Sequence, residues 1–595
     1  MIALSLRELI PGTLSLEYAQ SLACLGTIEY QEGQVIKALP MFLQAMDIYK
    51  SSPEDVMWDY VELQYLVAGI HYLAKDHEIA RRTVESSLLI CNEKFPDEYE
   101  MISNLHLLRG KLYIIHKNLS GAYDQFKRCL SIRKRDGKEK QSVLEVLMEI
   151  AGVLFEQNQY KSCLDYYQEA ARIMSRLDKT QDAFTVYERV GICHLRLEKY
   201  QDAMRAFKEA QHLFSTTPGN IDDRQVGRAV LSYYIGRTYE GLKQPEDALT
   251  SYLDTIGAFG LIQNTTSGDK ATLAATMYRT GCLLTNKSSE VDRAAKMLEN
   301  ALEIRRAVLG SHDVEIADTL YQLAKNSSAL ATPEGIVKAT KMLKEAESIY
   351  SRHKKYRGQA SCLSELGSHE LRVNLDTSFA FFKKAWSLYL THELEQDSEA
   401  GSILYGMGFI HNQKLKASMA ADLLKQSLKL RIQHEGKCSL NVGKTCEQLG
   451  FCLMALGQHG DALKLYVTCL EIYKDELGED TMECARVMLD IAALYSYKQQ
   501  FDLALLQLHG SLEFMEGAYG AESEQVATVL LRIGQVHDMR VDNEEAMKCV
   551  SRALQIRIKL YTKEDIRVAE TYLICGKLLE DWDDIEEVST AQLYF

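Results

Sequence analysis

Small and bulky apolar positions recur along this chain at an interval of about 42 residues. The small ones are Ala38, Ala80, Ala122, Cys163, Ala203, Ala248, Ala294, Ala339, Ser378, Ala420, Ala462, Ala504 and Ala546. Four residues beyond each stands a bulky group, from Phe42, Val84 and Phe126 through to Val550, and seven beyond stands another small one, from Ala45 to Ala553. Offsets of four and seven share one helical face. About twelve residues before each anchor lies a third small residue, such as Gly26, Ala68, Gly110, Gly236, Gly450 or Gly534. Two helices approach closely only where side chains are small, and bulky residues fill the grooves between crossings. The pattern therefore predicts a helical hairpin repeated thirteen times. One hairpin cannot bury its own apolar face, so the hairpins must stack.

The order of small and aromatic residues in "LRGKLYIIHKNLSGAYDQFKRCLSI" and "AALYSYKQQFDLALLQLHGSL" resembles the tetratricopeptide repeat. The longer period and the linkers "LGSHDVEIA" (309–317), "LGEDTMECA" (477–485) and "YGAESEQVA" (519–527) are similar to the kinesin-light-chain and nephrocystin-3 type. The resemblance implies an all-α, right-handed superhelix of antiparallel hairpins, a solenoid whose first helices line a concave groove. It also implies a cytoplasmic protein, associated with the cytoskeleton or the cilium. Fold does not fix function in such arrays.

The phase divides the chain into five parts. Residues 1–15 read as the end of a truncated preceding repeat, 16–213 as regular hairpins one to five, and 214–399 as irregular hairpins six to nine. Residues 400–566 read as regular hairpins ten to thirteen, and 567–595 as a terminal helix with a truncated hairpin. Loops lengthen at 215–226, 260–271 and 326–335, each rich in Gly, Pro, Ser, Thr, Asn or Asp. An irregular centre either adjusts pitch or reflects drift in tolerant loops. Both ends cut a repeat inside its second helix, so the chain reads as part of a longer array or as a protein whose ends need a partner. Exposed apolar residues are expected at Ile2, Leu6, Leu9, Leu573 and Leu579, with self-association through these uncapped ends.

Composition changes little. Seven Pro leave the helices uninterrupted, and no run of 18 apolar residues suggests a membrane span. A formal charge of −15 argues against nucleic acid or anionic membrane as the main partner. The 14 Cys fall mostly at packing positions, such as Cys129, Cys163 and Cys469, and read as small hydrophobes in a reducing compartment.

Catalytic motifs fail one by one. "VGKTC" (442–446) contains Gly-Lys-Thr, but a phosphate loop needs Gly where Cys438 stands. No His-Glu pair has a second His four residues after the first, and no Cys-x-x-Cys exists. His71, His194, His411 and His537 read as packed structural residues. The chain is thus expected to be no enzyme, with neither cofactor nor metal.

What remains is the groove. Tyr65, Tyr233, Tyr278, Tyr321 and Tyr405 share one phase on the first helices, and Arg237, Lys325 and Phe409 stand one turn beyond three of them. Tyrosine offers rigid contact area with a polar tip, and the cations suit an acidic peptide. Packing between hairpins is the competing role for the same residues. Groove positions for clamping a terminal carboxylate are absent. "LEDWDD" (579–584) resembles a Trp-acidic cargo motif around Trp582 but also aligns with an ordinary turn. The chain reads as an adaptor binding peptide segments of other proteins. The alternative is a sensor arm of a larger signalling protein whose effector domain lies outside it.

Overall fold

The computed structural model describes residues 16–51, 56–135, 140–176, 180–216, 221–262, 265–285, 287–329, 332–562 and 564–580. Ile2, Leu6, Leu9, Trp582 and the truncated end segments lie outside them. Among the described residues there are 27 α-helices and no strand. They fall into two compact units, Met1–Lys287 and Ser288–Phe595.

The first unit holds α1 (Leu16–Gln31), α2 (Val35–Lys50), α3 (Met57–Leu73), α4 (His77–Lys94), α5 (Tyr99–Ile115), α6 (Leu119–Arg135), α7 (Lys140–Glu156), α8 (Tyr160–Arg176), α9 (Thr180–Arg196), α10 (Tyr200–Thr216), α11 (Ile221–Gly241), α12 (Pro245–Phe259) and α13 (Ser267–Thr285). The second holds α14 (Val291–Leu309), α15 (Val314–Ala329), α16 (Pro333–Arg352), α17 (Tyr356–Glu370), α18 (Leu375–Thr391), α19 (Ala400–Gln413), α20 (Ala417–Glu435), α21 (Leu440–Ala455), α22 (His459–Leu477), α23 (Met482–Tyr497), α24 (Phe501–Tyr519), α25 (Glu524–Met539), α26 (Asn543–Leu560) and α27 (Ile566–Glu580). Odd-numbered helices are the first of each hairpin and even-numbered the second. Each unit contains six complete hairpins. The unit boundary separates α13 from α14, the two helices assigned to the seventh hairpin.

In the twelve complete hairpins every small anchor is fully buried, and so is every small residue seven positions on. The bulky residue between them is at most 3% exposed. Size matching explains the glycines. A Cβ at Gly110 would lie 2.3 Å from Phe126, at Gly191 2.4 Å from Phe207, and at Gly236 2.6 Å from Tyr252. At Ala68 and Ala492 the partner sixteen residues on is the smaller Val84 or Leu508, whereas Ala151 faces Tyr167.

The linkers are built as stop and start signals. Gly436, Gly478 and Gly520 end α20, α22 and α24 at φ of 89°, 97° and 85°, a conformation that favours glycine. Ser439, Thr481 and Ser523 then cap α21, α23 and α25, each side chain accepting from a backbone N–H of the first turn.

The irregular centre differs in part from the expectation. Much of the extra sequence is helix: α11 runs for 21 residues and α16 for 20, and α15 continues to Ala329 through the start of the loop expected at 326–335. Residues 260–262 and 265–266 lie outside helices, and a capping box follows in which the Thr266 and Asp269 side chains exchange backbone N–H bonds. At the far end Leu573 is 46% exposed, whereas Leu579 is 5% exposed and packs inside.

Candidate functional site

Each unit carries its own share of the first-helix tyrosines. In the first unit, the Tyr233 ring on α11 lies 5.2 Å from Tyr234 and 6.1 Å from Tyr252, and Tyr234 stacks on Phe207 at 6.0 Å. Tyr233 therefore packs along one flank. Its hydroxyl accepts from Arg237 Nη1 at 3.5 Å, one helical turn on. Arg189 on α9 is exposed, with its guanidinium 5.0 Å from the Phe155 ring. Beside it Glu188 is half-buried, and burial pushes its carboxyl upward against the pull of Arg189. Arg279 on α13 pairs with Glu240 at 2.5 Å. Tyr278 is half-buried on the same helix. Tyr65 lies apart on α3, packed at the edge of a core of Val61, Ala68, Val84 and Leu105, and burial pushes its hydroxyl upward.

In the second unit, Lys325 on α15 is exposed, its ammonium 5.8 Å from the Tyr321 ring. Burial, then Glu365 and Glu399, push the Tyr321 hydroxyl upward. Glu365 on α17 is itself pushed up by burial, and Lys325 opposes that shift. The surroundings of Lys325 are thus already acidic. Tyr405 on α19 lies 6.3 Å from Phe409 and under the Arg431 guanidinium at 4.5 Å. Among the described residues, the buried Tyr252 and Tyr466 hydroxyls have no hydrogen-bond partner, and neither belongs to a first helix.

Sequence reasoning missed the charged residues further along this face. Glu447 on α21 is 8% exposed and accepts from the Tyr473 hydroxyl at 2.9 Å and from Arg486 at 2.6 Å. Asp490 on α23 is pushed up to about 6, by burial first and then by Glu447, with Arg532 and Arg486 opposing. A carboxyl in the middle of a helix pattern gives no sign of its neighbours one repeat away, so only packing reveals the cluster.

A second group was equally hidden. Arg305, Arg431 and Arg557 sit at one position of α14, α20 and α26, each at most 6% exposed. Each reaches into the next first helix. Arg305 donates to the Glu315 carbonyl at 2.8 Å and the Thr319 hydroxyl at 2.6 Å, Arg431 to the Asn441 carbonyl at 2.9 Å and Thr445 at 2.7 Å, and Arg557 to the Arg567 carbonyl at 3.0 Å and Thr571 at 2.9 Å. Each Thr donates its own hydrogen to that same carbonyl at 2.7 Å. The Gly-Lys-Thr at 443–445 is accounted for here: Thr445 is a buried acceptor between hairpins.

His71 and His537 are half-buried beside Asp76 at 3.4 Å and Asp542 at 3.5 Å, and burial lowers His194 and His411. Among the described residues no group of three His, Cys, Asp or Glu could hold a metal, and no helix is long and apolar enough to cross a membrane.

Against known proteins, residues 142–214 and 443–516 match the family model for the tetratricopeptide repeat, one stretch in each unit. No curated protein matches the chain. Solved structures similar to it include BtubC from P. vanneervenii, 18% identical over 37% of this chain and 91% of that one, with a TM-score of 0.31. The apo form of RapI is 13% identical over 63% and 98% with a TM-score of 0.46, and the apo quorum sensor NprR from B. thuringiensis is 13% identical over 70% and 99% with a TM-score of 0.40. Residues 142–214 and 443–516 are thus similar to the tetratricopeptide repeat, and the same small anchors are buried in every complete hairpin among the described residues.

Proposed function

We propose that the chain is a non-catalytic scaffold, an adaptor that binds peptide segments of other proteins on the first-helix faces of its two units. The observation that supports this best is the patch on α9 to α13 of the first unit. There Tyr233 and half-buried Tyr278 supply contact area, and Arg237 has no carboxylate partner among the described residues. Arg189 adds a second, exposed cation on the same face. An acidic peptide fits this patch. It does not fit the surroundings of Lys325, where Glu365 and Glu399 already stand, so Tyr321, Lys325, Tyr405 and Phe409 are assigned to a peptide of mixed charge. Tyr65 is assigned a packing role with a contact edge. A cytoplasmic setting suits the cysteines, ten of them buried.

The test is an array of acidic, neutral and basic peptides probed with the chain and with R189E/R237E. Acidic peptides should be retained preferentially, and the double reversal should weaken them about tenfold and flatten their salt dependence. Equal retention of neutral and acidic peptides, or no effect of the reversal, would refute the reading.

A further inference from the structure

The turns within hairpins follow a rule that two residues break. In ten of these turns one residue takes the left-handed conformation: Gly33, Lys75, Lys117, Asn158, Glu198, Lys243, Leu415, Gly457, Gln499 and Val541. Two are glycine and six are polar, as a solvated strained position requires. Leu415, at φ 56° and 88% exposed, and Val541, at φ 69° and 79% exposed, satisfy neither condition. A large apolar side chain there costs backbone energy and buries nothing.

Two residues before Leu415, Gln413 lines a cavity of about 590 Å³ at the turn edge of the second unit, between α17 and α19. Leu371, Val373, Leu375 and Phe409 give it apolar walls, and Arg372 and Gln413 give it polar ones. Val373 is 81% exposed, and Met419, four residues past Leu415, is 58% exposed. The nearby Lys414 is pinned by Asp376, but Arg372 is exposed and has no hydrogen bond or ion pair among the described residues. A flat surface would meet the projecting Val373 and Leu415 and leave the cavity empty. Side chains inserted from a peptide would occupy it. Arg372 at the wall selects a carboxylate next to that side chain.

We propose that this turn-edge groove binds a second class of peptide, a short segment with bulky aliphatic residues flanked by carboxylates. The aliphatic side chains enter between Val373 and Phe409, Arg372 pairs with a flanking carboxylate, and Leu415 extends the apolar floor. The groove is distinct from the α9 to α13 patch of the first unit. Phe409 alone belongs also to the first-helix face of the proposed scaffold.

The experiment uses the full chain and a fluorescein-labelled octapeptide with two central leucines flanked by glutamates. Two control peptides carry serine for leucine or lysine for glutamate. The leucine–glutamate peptide should bind with rising anisotropy and both controls should bind about tenfold more weakly. R372E and V373S should each weaken the first peptide by a similar factor, whereas R189E/R237E should leave it unchanged. L415G should weaken binding while raising the unfolding midpoint, because glycine relaxes the strained turn. No binding by the wild-type chain, equal binding of the lysine control, or indifference to R372E and V373S would each overturn the proposal. Loss of binding with R189E/R237E alone would assign the peptide to the first unit and overturn it too.

Discussion

The Arg431 guanidinium donates to the Thr445 hydroxyl at 2.7 Å, joining the end of one hairpin to the start of the next. The hydroxyl passes its own hydrogen to the Asn441 carbonyl, so a buried cation, hydroxyl and carbonyl close on one another. T445V leaves the cation one acceptor short and should lower stability by about 2 kcal/mol. R431M removes the donor but leaves the Thr445–Asn441 hydrogen bond in place, and should cost about 1 kcal/mol. The two should not add in a double-mutant cycle read by urea denaturation. Additivity would show that the pair contributes no coupling.

Gly110 should tolerate no methyl group while Phe126 is present. G110A forces Cβ against a ring 2.3 Å away and should destabilise by about 1–3 kcal/mol. Adding F126V recreates the Ala68–Val84 arrangement and should recover part of the loss. A122L and A462L overpack the same crossings from the other side and should shift thermal midpoints downward, since both sites are fully buried.

Asp490 sets a pH dependence with a definite sign. Its carboxyl is raised from 3.8 to about 6, so the folded state holds a proton that the unfolded chain has released. The stability this contributes is present in full below about pH 4 and is lost as the pH rises through about 6, on the order of 2 kcal/mol in all. D490N should therefore gain on the wild type between about pH 4 and about pH 6.5 in denaturant midpoints. A constant difference between the two proteins across that range would contradict the assignment.

Alkylation separates the cysteines by burial. Cys24 and Cys438 are exposed and should react with iodoacetamide in the native chain. Cys163 and Cys193 lie 3.7 Å apart, fully buried, and the Cys163 thiol is pushed strongly up by its neighbour and by burial. Mass spectrometry should find both unmodified until denaturant is added.

Hairpin packing was legible because it is steric and local: Ala122, Phe126 and Cys129 declare one face by spacing alone. The charged contacts were not. Arg431 follows Leu430 in an ordinary amphipathic helix, and its acceptor lies fourteen residues on in another element. The tyrosines stayed ambiguous for a physical reason, since Tyr233 both packs against Tyr252 and offers its hydroxyl to Arg237. Nor could spacing reveal Glu365 and Glu399 beside Tyr321, which alter the charge that a ligand meets there.

The buried arginines carry a consequence for how such a gene can change length. Arg305, Arg431 and Arg557 are separated by 126 residues each, three hairpins rather than one. Deleting or duplicating one hairpin that carries such an arginine, or the hairpin after it, would abut a junction built for arginine with one built for tyrosine or methionine, as at Tyr389, Tyr473 and Met515. A block of three splices in with every donor still opposite its threonine, so here the heritable module is the triplet.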